Sequence, residues 1–80
     1  MNINNRIVEY LNNNNWEVVY ETDGLLHYTK FAHNTLHHLF VSYYKDTNSY
    51  EVELGLGENQ DNSEFFKLRN LVSVLKRRNI

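Results

Sequence analysis

The sequence predicts an α+β fold. It is a two-layer domain in which a four-stranded antiparallel meander sheet carries N- and C-terminal helices on one face, in the order α-β-β-β-β-α. Three observations lead there. Apolar residues recur at intervals of three and four near each end of the chain, they alternate with polar residues between Trp16 and Leu56, and short polar clusters cut the alternating region into four runs.

Ile3, Ile7 and Leu11 fall at helical spacing with Val8 and Tyr10 beside them, and Asn2 is a suitable N-cap, so a short first helix is expected. The run Asn12 to Asn15 ends it, because asparagine tolerates the left-handed conformation at a helix C-terminus and competes for backbone hydrogen bonds.

From Trp16 the period becomes two. Trp16, Val18 and Tyr20 point one way and Glu17, Val19 and Glu21 the other, which is the signature of a half-buried strand. Thr22-Asp23-Gly24 suits a three-residue hairpin loop with glycine in the left-handed position. Leu25 to Phe31 forms the second strand, and after the loop Ala32 to Thr35 the third runs from Leu36 to Tyr44. Asp46-Thr47-Asn48-Ser49 then turns the chain into a fourth strand, Tyr50 to Leu56. One register keeps a single face apolar across all four: Glu21 opposite Leu25, Phe31 opposite Leu36, and a four-residue last turn. It aligns Val18 and Tyr20 with Tyr28 and Leu26, then with Leu39 and Val41, then with Val52 and Leu54. A slip of one residue at any hairpin would send a strand's apolar set to solvent.

Asp61 followed by Glu64 fits a capping box. Phe65, Leu68, Val72 and Leu75, widened by Leu71, then continue a helix to about Arg78. Lys76, Arg77 and Arg78 sit where a helix C-terminus favours positive charge. With neither a repeat nor a linker, residues 1–80 read as one domain. Both helices cover the apolar sheet face, and the other face has no cover.

Composition bounds the rest. At 80 residues the chain hides roughly 60% of the surface that it exposes unfolded. Without cysteine, neither a disulfide framework nor a thiolate zinc site is available. No apolar run exceeds three residues, as at Leu39 to Val41, and residues 1–6 have no apolar signal core, so a soluble, cytoplasmic protein with no membrane partner is expected. Thirteen asparagines and no proline point to an AT-rich genome, such as that of a phage or another mobile element. Charge is unevenly placed: residues 1–64 carry ten acids and three bases, a balance of −7, whereas residues 65–80 carry five bases and no acid, +5.

The uncovered face is the first candidate site. The register places His27 opposite Phe40 and Thr29 opposite His38, with Tyr44 beyond them and Glu17, Glu21, Glu51 and Glu53 around the rim. Aromatic anchors inside a polar rim are how protein interfaces are built. Solvated aromatics on an antiparallel sheet are the bland alternative. A homodimer through the same face is another form of the binding reading. A rival surface is the basic last helix, whose Lys67, Arg69, Lys76, Arg77 and Arg78 can contact phosphates. No cofactor or metal is expected. His33 and His37 have helical spacing in a segment that reads as loop entering strand, and adjacent His37 and His38 point to opposite faces. Catalysis is not expected either, since beyond Ser42 near His27 nothing offers a nucleophile, a base and an oxyanion hole together.

The opening Met1-Asn2-Ile3-Asn4, continuing to Ile7, Glu9 and Asn12, resembles the first helix of a small anti-CRISPR family that inhibits Cas9. The resemblance implies helices around a small antiparallel sheet and acidic residues that occupy a DNA-binding surface. It covers about twelve residues. The family's acidic loop run is absent and the basic last helix departs from its pattern, so no functional residue is carried over. The expectation is a non-enzymatic, phage-encoded inhibitor that presents its acidic, aromatic sheet face to the basic surface of a host nucleic-acid-handling or defence protein. Direct nucleic-acid binding through the last helix is the alternative.

Overall fold

The first helix is set by asparagine at both ends. In the computed structural model, which describes residues 1, 3–57 and 62–80, α1 spans Asn5–Asn13. Its cap is Asn4, whose side chain accepts from the Arg6 amide at 2.7 Å; the expected cap, Asn2, lies outside the described residues. The exit is a Schellman motif. Asn15 takes the left-handed conformation (φ 66°) and its amide reaches the Asn12 carbonyl, while the Trp16 amide reaches that of Leu11 at 3.0 Å. Ile7, Leu11 and Trp16 are thereby buried together.

Five strands follow in a meander whose spatial order equals chain order: β1 (Glu17–Glu21), β2 (Leu25–Ala32), β3 (Thr35–Tyr44), β4 (Ser49–Leu56) and β5 (Glu64–Phe66). The β2–β3 register is the expected one, with Phe31 opposite Leu36 and His27 opposite Phe40. The turn is tighter than expected. His33 and Asn34, with φ of 54° and 60°, form a two-residue connection whose twist matches the strands it joins. Between β3 and β4 four residues turn the chain, and Val41 and Leu39 face Val52 and Leu54.

The first hairpin departs from expectation. A bulge between Val18 and Tyr20 keeps Val18 opposite Tyr28 but sets Tyr20 opposite His27 and Glu21 opposite Leu26. One extra residue in an edge strand reverses the faces of everything beyond it. Gly24 is not left-handed as expected. Instead the Thr22 hydroxyl accepts from the amides of Gly24 and Leu25, and the Thr22 amide donates to the Leu25 carbonyl, closing the turn.

The last helix is shorter than its periodicity implied. Asp61 of the expected capping box lies outside the described residues, and Glu64 begins a strand instead. Phe66 pairs with Val52 on the core face, and Phe65 pairs with Glu53 on the opposite one, 59% exposed. A helix from Glu64 would leave the outer backbone groups of Val52 to Leu54 without a neighbouring strand, whereas β5 satisfies them. A 3₁₀ turn (Leu68–Asn70) then leads into α2, Leu71–Arg77. It too ends in a Schellman motif, with Asn79 left-handed (φ 59°) and the Ile80 amide on the Leu75 carbonyl.

Both helices lie on one face. Ile7 and Leu11 of α1 and Leu71, Val74 and Leu75 of α2 share one core with Leu26, Tyr28, Leu39, Val41, Val52 and Leu54 of the sheet. The fold class and the layer arrangement are those expected, with five strands in place of four. No helix among the described residues is long and apolar enough to cross a membrane.

Candidate functional site

Because side chains alternate along each strand, burying Leu39, Val41, Val52 and Leu54 forces His38, Phe40, Ser42, Glu51 and Glu53 to the other face. Nothing in the chain's described residues covers that face. Its central row runs Tyr20, His27, Phe40, Glu53, Phe65 across all five strands, and Glu17, Thr29, His38 and Gly55 form the next row. On the other side Leu25, Ser42 and Glu51 align, followed by Tyr44 and Ser49.

The rings at the centre form one stacked group. His27 lies on Phe40 with centroids 4.2 Å apart and planes 18° from parallel, and His38 stacks beside His27 at 5.2 Å. His27 Nε2 and His38 Nδ1 are 3.0 Å apart and share a hydrogen bond whose direction follows the tautomers. His38 Nε2 is buried without a hydrogen-bond partner among the described residues. Burial, and then the proximity of His38, lower the His27 pKa. Charging His27 is therefore disfavoured while the face stays as it is.

Of the residues expected on this face, His27, His38, Phe40, Tyr44, Glu17, Glu51 and Glu53 are on it, and the Tyr44 hydroxyl donates to Glu51 Oε1 at 3.3 Å. Glu21 is not. The bulge turns it to the helix side, where its carboxylate lies 3.7 Å from the Met1 amino nitrogen and adds to burial in raising the Tyr28 pKa. Tyr20 and Phe65 take places on the open face that the sequence reading did not give them. For Phe65 the adjacent pair Phe65-Phe66 after a polar stretch was a readable strand signal. The bulge that places Tyr20 had none.

The other candidates are dispersed. Among the described residues no group of three or more His, Cys, Asp or Glu is placed to hold a metal ion. His37 is buried edge-on to Trp16, its Nδ1–H donating to the Thr35 carbonyl at 3.0 Å. Ser42 stands opposite Leu25, in a different row from His27.

The five basic residues of the C-terminal segment do not form one patch. Arg78 pairs with Glu64, and Lys67 sits beside Phe65 and Glu51 at the outer edge of the sheet. Arg69 and Lys76 instead line a groove between the helices with Arg6 of α1, and Lys76 Nζ stands 6.0 Å from the Tyr10 ring centre.

Comparisons with protein-family models, curated proteins and solved structures give no match to this chain.

Proposed function

We propose that this chain is a non-enzymatic protein-binding module whose open sheet face docks on a basic surface of a partner protein. The observation that carries the reading is the central row. Tyr20, Phe40 and Phe65 interleave with His27 on a sheet face that no described residue covers, and Glu17, Glu51 and Glu53 stand on the same face.

Size supports it. Four strand spacings of about 4.8 Å by a mean strand length of about seven residues at 3.3 Å give a face of about 440 Å², over half of the roughly 800 Å² that one side of a standard interface needs. Charge argues for an unlike partner. A two-fold axis through this face would set carboxylates against carboxylates, whereas a lysine- and arginine-rich surface complements them. Proteins that handle nucleic acid carry such surfaces, which makes a host protein of that kind the target class and an inhibitor that occupies its nucleic-acid groove the mode of action. A phage origin, as for the anti-CRISPR family that the first residues resemble, belongs to the same proposal.

The test is parallel capture from nuclease-treated host lysate with the unmodified chain and with Tyr20→Ser/Tyr44→Ser, which alters only exposed rings. The reading expects proteins retained by the first and lost with the second. Identical sets from both baits count against it.

A further inference from the structure

We propose that the groove between α1 and the Leu68–Arg77 segment is a second binding site, on the layer opposite the open sheet face, and that it takes the phosphate backbone of single-stranded nucleic acid.

The groove holds about 660 Å³ and is lined along α1 by Asn4, Arg6, Tyr10 and Asn13 and along the other wall by Arg69 and Lys76, with Glu9 also at its side. Arg69, Val72 and Lys76 recur at intervals of three and four, so they form one stripe of the helical segment. Its two cations, Arg69 and Lys76, are seven positions apart, about 10 Å at 1.5 Å per residue. Three cations against one carboxylate leave the groove at +2 in a chain whose formal charge is −2. Among the described residues none of Arg6, Arg69 and Lys76 makes an ion pair, whereas Arg78 close by does.

Arg6 is the informative member. It lies in the first turn of α1, which has no acidic residue. A cation there opposes the helix dipole, whereas Lys76, in the last turn of α2, is favoured by it. Helix stability thus explains Lys76 and leaves Arg6 unexplained. An anion seated between Arg6 and the other two cations accounts for both. Neighbouring helices lie about 8–10 Å apart, so the groove between them accepts one backbone and is too narrow for a duplex. The Tyr10 ring in its wall provides a surface for a base.

The probe is a fluorescent dodecathymidylate, with anisotropy followed from 25 to 200 mM salt on the full chain. Binding is expected at low salt with a log–log salt slope of about −2, from about 0.7 counterions released per cation on a single strand. Arg6→Gln/Arg69→Gln/Lys76→Gln should weaken it at least tenfold and flatten the slope. Lys67→Gln/Arg77→Gln, which changes cations outside the groove, should stay within about threefold of the unmodified chain. All these side chains are exposed, and among the described residues none makes a side-chain hydrogen bond or ion pair; circular dichroism verifies folding of each variant. No binding at 25 mM salt, equal losses in the two variants, or tighter binding of the matching duplex would each overturn the proposal.

Discussion

The indole N–H of Trp16 donates to the main-chain oxygen of Ile80 at 2.9 Å, joining the residues that immediately follow the left-handed asparagines of the two helices. Lys30 Nζ donates to the same oxygen, also at 2.9 Å. Each helix ends by turning an apolar residue into the core behind a left-handed asparagine, and the two ends then hold each other. This ties the helical layer together at one point and fixes it against β2.

The asparagines at both exits should therefore matter to stability. Asn15→Ala and Asn79→Ala are each expected to cost about 1 kcal/mol, because alanine resists the left-handed conformation, whereas glycine at either position should be close to neutral. Urea unfolding of the four variants checks this. Equal costs for alanine and glycine would show that side-chain contacts and not backbone conformation decide these positions.

Placing Phe65 in an outer strand makes a second expectation. Phe65→Ser should cost less than about 1 kcal/mol, as suits a side chain mostly in water, whereas Leu71→Ala should cost about 2–5 kcal/mol. Comparable losses would restore a helix beginning at Glu64 with Phe65 in the core.

How far each feature was legible follows from how local its cause is. The apolar alternation from Leu25 to Leu56 specified the strands, and burying Leu39, Val41, Val52 and Leu54 specified the register, so His27, Phe40 and His38 could be placed together from residues alone. Phe65, Leu68, Val72 and Leu75 satisfy a helical period equally well, and only the unpaired edge of β4, a tertiary fact, decides for a strand at Glu64–Phe66. The bulge at Val19 is a property of an edge strand with no residue signal. Its consequence, Glu21 turned inward and Tyr20 outward, was not readable. The groove cations come from residues 6, 69 and 76 and meet only once the helices pack.

Acidification should destabilise the fold. Burial holds the pKa of His37 below the ordinary 6.5 although hydrogen bonds to backbone oppose it, and burial together with His38 does the same for His27. A lowered folded value means that the unfolded chain binds protons first. Stability is then complete above about pH 6.5 and falls as the pH drops through the folded values. The urea midpoint should be lower at pH 5.5 than at 7.5. A midpoint that is unchanged or higher would contradict the burial of these rings.

The bulge also divides the glutamates. Glu21→Lys should leave partner affinity within about twofold, because this residue faces the helical layer near Met1. Glu51→Lys and Glu53→Lys should slow association and reduce its salt sensitivity. If Glu21→Lys impairs binding as much as either of these, the contact extends to the helix-facing side of β1.

Affinity of the captured partner for Glu17→Lys/Glu51→Lys/Glu53→Lys, measured beside the unmodified chain in nuclease-treated samples, tests the central claim most directly. If the acidic, aromatic face meets a basic protein surface, reversal sets like charges against each other and should abolish binding while the fold persists. Retained or strengthened binding of the folded variant would contradict the account and move the contact to another surface.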